Sequence, residues 1–251
     1  MSTWHVGCAG LPCARERYVS ALNLVELDLR PPAPPTKSLQ RWRQDAPEGF
    51  VHAVVAPPAL YGDRDFPLRD EATTATELDR LSTAAGQLGA AVVVLRTPMA
   101  IAPGSAALER FKALLARATA RFRRVVWDPA GLWEPEGAVR VAHPLGALVV
   151  TDPLHDEPTG EKVAYARLRG LGIDRRYHTG MLEDLASRLE GLDEVFVVFA
   201  SEGAWREARA LSRLVGTLTT APDADDLDDE EDDDNGAGDD SDDDEEDGDP
   251  R

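Results

Sequence analysis

The segment Thr74–Arg96, TATELDRLSTAAGQLGAAVVVLR, places a helix and a strand back to back. Leu78, Leu81, Ala85 and Leu88 recur at three- and four-residue spacing, the stripe of a helix that buries one face. Thr74 and Glu77 read as a capping-box pair at its start, and Gly89 supplies the left-handed stop. Ala91–Leu95 then runs in Val, Leu and Ala alone. A strand without polar alternation is covered on both faces, as strands of parallel sheets are.

The same unit repeats in both directions. Apolar pulses at Trp4–Cys8, Leu22–Leu29, Phe50–Val55, Arg124–Trp127, Ala147–Val150, Val163–Leu168 and Val195–Phe199 bring the strands to eight. Between many of them lie helical stripes: Thr36–Ala46 with Leu39 and Trp42, then Leu108 to Phe122 behind a Ser105 cap. Later come Leu182, Leu185, Leu189 and Leu192 ahead of or beside Gly191, and finally Ala204, Ala208, Leu211 and Val215. Parallel neighbours need crossover connections, so alternating strands and helices predict an α/β fold. Eight strands suit a TIM-like (β/α)8 barrel, with an open doubly wound sheet as the alternative. Around residues 128–162, Pro129, Gly131, Pro135, Pro144, Pro153 and Pro158 predict short or missing helices.

The formal charge of −19 is concentrated at one end. Asp223–Arg251 holds 19 acidic residues and one arginine, leaving 27 acids against 26 bases in the remainder. The expected division is a barrel over 1–222 and a disordered polyacidic tail over 223–251, since the tail has one leucine and no aromatic residue with which to offset its ordering entropy. Such a tail predicts a basic protein partner or a solubilising role. The near-neutral barrel has no basic stripe, so no direct nucleic-acid contact is expected. No run is long enough to span a bilayer, and Met1–Val6 does not read as a leader; with only Cys8 and Cys13, a cytoplasmic location is expected.

In a barrel of this kind function sits at the carboxyl ends of the strands. There the sequence places Glu26 and Asp28, His52, Arg96, Asp128, Asp152, and Arg167 with Arg169. Alternation puts Tyr165, Arg167 and Arg169 on one face and Glu26 with Asp28 on another, both predicted to point into the lumen. A charge buried there needs a partner, and Glu26 or Asp28 with Arg167 is the natural pair. Glu26, Asp28 and Asp128 are thus the candidate acid–base groups, and Tyr165, Arg167, Arg169, Asp152, His52 and Arg96 the candidate ligand contacts. The equally direct alternative is a structural ion pair that plugs the barrel. Cys8 and Cys13 lack zinc-knuckle spacing, the five histidines have no metal-ligand spacing, and no phosphate-cradling glycine loop is present, so neither metal nor cofactor is expected.

These residues resemble the YecE-like barrels, the domain-of-unknown-function family 72. The likeness rests on Val6-Gly7-Cys8-Ala9-Gly10, Val25-Glu26, Trp42, Pro47-Glu48-Gly49-Phe50, Ala53-Val54-Val55-Ala56-Pro57 and Leu88-Gly89. It continues through Trp133, Asp152, Tyr165-Ala166-Arg167-Leu168-Arg169-Gly170 and Val195–Phe199. The resemblance implies a TIM-like barrel with no established reaction. It also marks departures: Asp28-Leu29-Arg30-Pro31-Pro32 replaces Asn-Ser-Thr-Phe-Tyr, Val55 stands for a lysine, Leu95 for a glutamine and Arg169 for a histidine. Asp128 is what remains of a Glu-x-Arg-His segment, and Ala200 or Ser201 stands for an asparagine. Glu26, Tyr165 and Arg167 are kept. A scaffold retained around a rewritten pocket predicts a binding or interaction module with altered or lost ancestral activity. The alternatives are an enzyme or binder of a small anionic or polar ligand at the barrel mouth, and a metal-dependent phosphoester hydrolase.

Overall fold

The computed structural model describes residues 2–29, 34–157, 162–170 and 176–217. Its strands are β1 (Thr3–Ala9), β2 (Leu24–Asp28), β3 (Val51–Val55), β4 (Val92–Arg96), β5 (Val125–Asp128), β6 (Leu148–Thr151), β7 (Val163–Leu168) and β8 (Glu194–Phe199). Its helices are α1 (Arg15–Ala21), α2 (Thr36–Asp45), α3 (Glu71–Leu88), α4 (Ala106–Arg121), α5 (Pro135–Ala142), α6 (Thr179–Arg188) and α7 (Ala204–Leu214). The strands pair in sequence order, all parallel, and β8 closes on β1. The expected barrel is therefore the fold, and the open sheet is not. The tail at 223–251 and the Pro31-Pro32-Ala33 run lie outside the described residues.

Two hydrophobic sets follow from the two-residue period of the strands. The lumen holds Leu24, Val51, Ala53, Val55, Val92, Val94, Val126, Tyr165, Phe196 and Val198. The opposite faces carry Val25, Leu27, Val54, Val93, Leu95, Trp127, Ala164, Ala166, Val197 and Phe199 into the larger core beneath the helices. Toward the amino end the lumen is plugged by rings and charges: His5 stacks on Phe196 at 4.7 Å, and Arg124 lies 4.9 Å over the same ring. Glu194 pairs with both side chains, at 3.3 Å from His5 and 2.6 Å from Arg124.

The register settles His52. Val51, Ala53 and Val55 face inward, so His52 points out beneath the helices, beside Phe50 at 5.0 Å between rings, in a small cavity lined also by Arg15, Val19 and Trp42. The expectation that it contributes to the barrel mouth is corrected by strand parity. Burial, with the Arg15 charge nearby, draws its imidazole down to about 4.

Two further readings shift. Helix α3 starts a turn earlier than Thr74, because Asp70 is the cap: its carboxylate accepts from the Thr73 amide at 3.1 Å. Thr74 is instead inside the helix, its hydroxyl donating to the Asp70 carbonyl at 3.0 Å, and Glu77 pairs with Arg80 rather than closing a capping box. Helix α1, not foreseen, buries only Tyr18 and Ala21, too short a stripe to declare a period. Elsewhere Ser105 caps α4 and Gly89 takes the left-handed stop of α3. Between β5 and β6 the helix is short, eight residues, as the prolines require.

Helix α1 matters because Tyr18 repairs the seam between β1 and β2. Its hydroxyl accepts from the Cys8 amide and donates to the Leu24 carbonyl, both at 2.7 Å. Asn23 does the same one step down, accepting from Val6 N at 2.8 Å and donating to Trp4 O at 2.9 Å. Gly7 allows the close approach: a Cβ there would lie 1.8 Å from the Leu24 carbonyl oxygen.

Tyr18→Phe strips two buried backbone groups of their partner at once. Chemical denaturation should show a loss of about 2–4 kcal/mol, from the cost of leaving each unpaired; a loss under about 0.5 kcal/mol would mean the ladder re-forms without the hydroxyl. His52 gives a pH signature. Because its folded pKa is depressed, the unfolded chain binds more protons between pH 6.5 and about 4. The contribution is complete above the unfolded value and fades as pH falls through that window, up to about 3 kcal/mol in all. Denaturation curves of His52→Leu should lack this part of the slope seen in the native chain; equal slopes would refute the assignment.

Candidate functional site

The carboxyl end of the lumen is occupied by a chain of alternating charges. Glu26, on β2 and 2 % exposed, accepts from Arg167 Nε on β7 at 3.1 Å and from an Arg96 terminal nitrogen on β4 at 3.4 Å, both at Oε1. Its Oε2 accepts from the Tyr165 hydroxyl at 2.8 Å. Arg96 continues the chain, donating through Nε to Asp128 Oδ2 on β5 at 3.1 Å, and Arg169 donates to Asp128 Oδ1 from beyond the end of β7. The order is Arg167, Glu26, Arg96, Asp128, Arg169. Three guanidiniums meet two carboxylates.

The local sequence explains this convergence. Glu26 follows Leu24, Arg96 follows Val92 and Val94, Asp128 follows Val126, and Arg167 follows Val163 and Tyr165, each in phase with the lumen set. The strands thus present apolar residues low in the barrel and ionised ones at the top. Burial is graded along the chain. Both carboxylates are buried, and the Arg167 side chain is 10 % exposed, while Arg96 and Arg169 reach 37 % and 47 %. The outer face of the cluster is therefore cationic. Burial, and next the charge and hydrogen bond of Glu26, push the Tyr165 phenol well above its ordinary value, so it serves as a donor.

Glu26, Arg96, Asp128, Tyr165, Arg167 and Arg169 are brought together as the sequence suggested, with Glu26 rather than Asp28 as the partner of Arg167. Asp28 is exposed at the end of β2. Asp152, just past β6, engages its own turn: its carboxylate accepts from Leu154 N at 3.2 Å and pairs with His155 Nδ1 at 3.2 Å. Ser201 donates to Glu207 of α7, which also takes the Tyr177 amide at 3.1 Å. His52 stands on the other side of the barrel wall.

Tyr61 was not foreseen. It lies in a 3₁₀ turn after β3, its hydroxyl is buried without a hydrogen-bond partner among the described residues, and it feels Asp128 and Arg96. Burial, then the Asp128 charge, raise its phenol, and Arg96 only partly opposes this. No sequence period marks a residue in such a turn. Cys8 is equally removed from metal chemistry: it is buried on the outer face, donates to the Ala204 carbonyl at 3.4 Å, and burial pushes its thiol up to about 12. Among the described residues no three or more His, Cys, Asp or Glu side chains are grouped to hold a metal ion, and no helix is long and apolar enough to cross a membrane.

Comparison with solved structures gives the same architecture. A DUF72 family protein from Enterococcus faecalis superposes with a TM-score of 0.64 at 14 % identity, covering 86 % of this chain and 98 % of the other. L-ribulose 3-epimerase follows at 0.58 and 15 %, covering 87 % and 95 %. An AP endonuclease, family 2, from Brucella melitensis gives 0.55 at 10 %, covering 86 % and 99 %. At such identities the likeness is one of fold. No curated protein is significantly similar to the chain. The family model described as "Protein of unknown function DUF72" matches residues 14–230, and the chain belongs to that family.

Proposed function

We propose that the barrel is a binding module whose carboxyl-end mouth takes a small organic or inorganic anion, with Arg96 and Arg169 as its donors. The observation that carries this reading is the grading of the charge chain, which buries both carboxylates and leaves guanidiniums outermost. A guanidinium has five N–H donors in a planar fork suited to carboxylate and phosphate oxygens. Arg96 and Arg169 spend one or two of theirs on Glu26 and Asp128 and are still accessible to solvent.

In this reading Glu26 and Asp128 are anchors for the arginines. General acid–base work requires a carboxyl group within reach of a ligand proton. Each oxygen of both carboxylates already accepts from the protein, and both groups lie beneath their partners. The acidic segment 223–251 fits the same picture of an interaction protein, its charge suited to a basic partner.

Two measurements test the module. Methyl phosphate at 10 mM should raise the melting temperature by about 3 °C over potassium chloride of equal ionic strength, as millimolar affinity implies for a domain of this size. Arg169→Gln should abolish the rise; an unchanged melting temperature in the native chain would refute anion binding. Glu26→Gln removes the charge between Arg167 and Arg96, and denaturation should show a loss of about 3–5 kcal/mol. Full stability in that variant would show that Glu26 is no anchor and return it to consideration as a reacting group.

A further inference from the structure

Among the described residues four large hydrophobic side chains are exposed: Phe66 at 53 %, Met99 at 68 %, Leu132 at 95 % and Leu214 at 44 %. A lone exposed apolar residue is ordinary. Here three of the four fall on the successive loops that follow β3, β4 and β5, all on the mouth side of a parallel barrel. The two most exposed belong to the loops that leave Arg96 and Asp128. Met99 is three residues past Arg96 and Leu132 four past Asp128.

These two loops are fastened to each other. The Trp133 indole donates to the Ile101 carbonyl at 2.9 Å, and the Trp127 indole donates to Thr97 at 3.0 Å. The two indoles meet edge to face at 4.8 Å. Met99 lies 3.8 Å from where a side chain on Gly131 would begin, so it covers the glycine next to Leu132. The wall is thereby held by side chains that are themselves buried or half-buried, while Met99 and Leu132, its most exposed apolar groups, project outward. Residues 97–105 carry no charge, and neither do 129–133. An uncharged stretch thus follows directly in sequence on each of Arg96 and Asp128, two members of the charge cluster at the mouth.

We infer that the ligand of this mouth is an amphiphilic organic anion, its phosphate or carboxylate group held by Arg96 and Arg169 and its apolar body lying on Met99 and Leu132. The inference rests on the anion-binding reading and adds the chemical class of the ligand. Charge complementarity selects the head, and the uncharged stretches 97–105 and 129–133 select the body. A purely hydrophilic anion would leave the wall without a role, and a neutral apolar ligand would leave the guanidiniums without one.

Calorimetric titration with two pairs of probes, methyl against hexyl phosphate and acetate against hexanoate, tests it on the full chain. In at least one pair the longer probe should bind about tenfold more tightly, the gain for burying about two methylenes. The pair also tells which head group the mouth prefers. In the double variant Met99→Ser, Leu132→Ser the ratio should fall below about twofold. Equal affinity of short and long probes in both pairs overturns the wall while leaving the anion site intact, and a ratio that survives the double variant overturns it as well. Absence of binding by all four probes overturns the anion reading itself. Chain-length dependence that persists unchanged in Arg169→Gln would show apolar binding without an anionic head and would also refute the proposal.

Discussion

Everything at the carboxyl end of this barrel is organised by one buried carboxylate. Glu26 receives three donors from two separate strands of the cylinder, β4 and β7, which lie to either side of it in the strand order. A single ionised group in a closed lumen is costly, and the lumen of a barrel offers no backbone donors because the ladder uses them all. Partners must come across the interior. Tyr165 and Arg167 reach in from β7, and Arg96 comes over β3 from β4. Once Arg96 is drawn inward by Glu26, its second edge is available to Asp128, and Asp128 in turn fixes Arg169. The chain of five charges is thus one cooperative unit, in which loss of a member exposes its neighbours' unpaired charge rather than removing one contact.

The lumen below it is of a different kind. Val, Ala and Leu fill the middle, and His5, Phe196, Arg124 and Glu194 close the amino end with a stack and an ion pair. There Glu194, which burial alone would raise, is held low by Arg124 and His5. An apolar layer thus separates two polar ones. The cationic outer face at the mouth is therefore a property of one layer, independent of the plug.

Much of this was readable in the sequence because period two is an exact constraint. The positions of Glu26, Arg96, Asp128 and Arg167 relative to the lumen follow from counting alternate residues back to Leu24, Val94, Val126 and Tyr165. The same counting, applied to Val51–Val55, would have turned His52 outward, and His52 also stands second in β3, near its amino end and not at the carboxyl end. Other features were not legible because they have no period. Tyr18 and Asn23 complete the β1–β2 seam from a short helix and its exit, and Tyr61 comes from a 3₁₀ turn. The start of α3 was misread for a related reason: Asp70 and Thr74 are both competent caps, and only the geometry of the preceding loop chooses between them.

The departures from the family pattern gain a physical sense in this geometry. The resemblance places a lysine where β3 carries Val55, a lumen position level with Asp28 on β2 and Val94 on β4. A cation there would stand two residues above Ala53, the β3 partner of Glu26. In this chain valine leaves the space above β3 empty of charge, and Arg96 spans it, meeting Glu26 from the next strand along. The interior charge is still answered, but by a longer and planar group that also binds Asp128. Lysine offers a compact ammonium that shifts readily to a neutral form, whereas guanidinium stays charged and clamps oxygens in pairs. At this point of the lumen the chain therefore answers Glu26 with a planar fork shared between two carboxylates rather than with an ammonium.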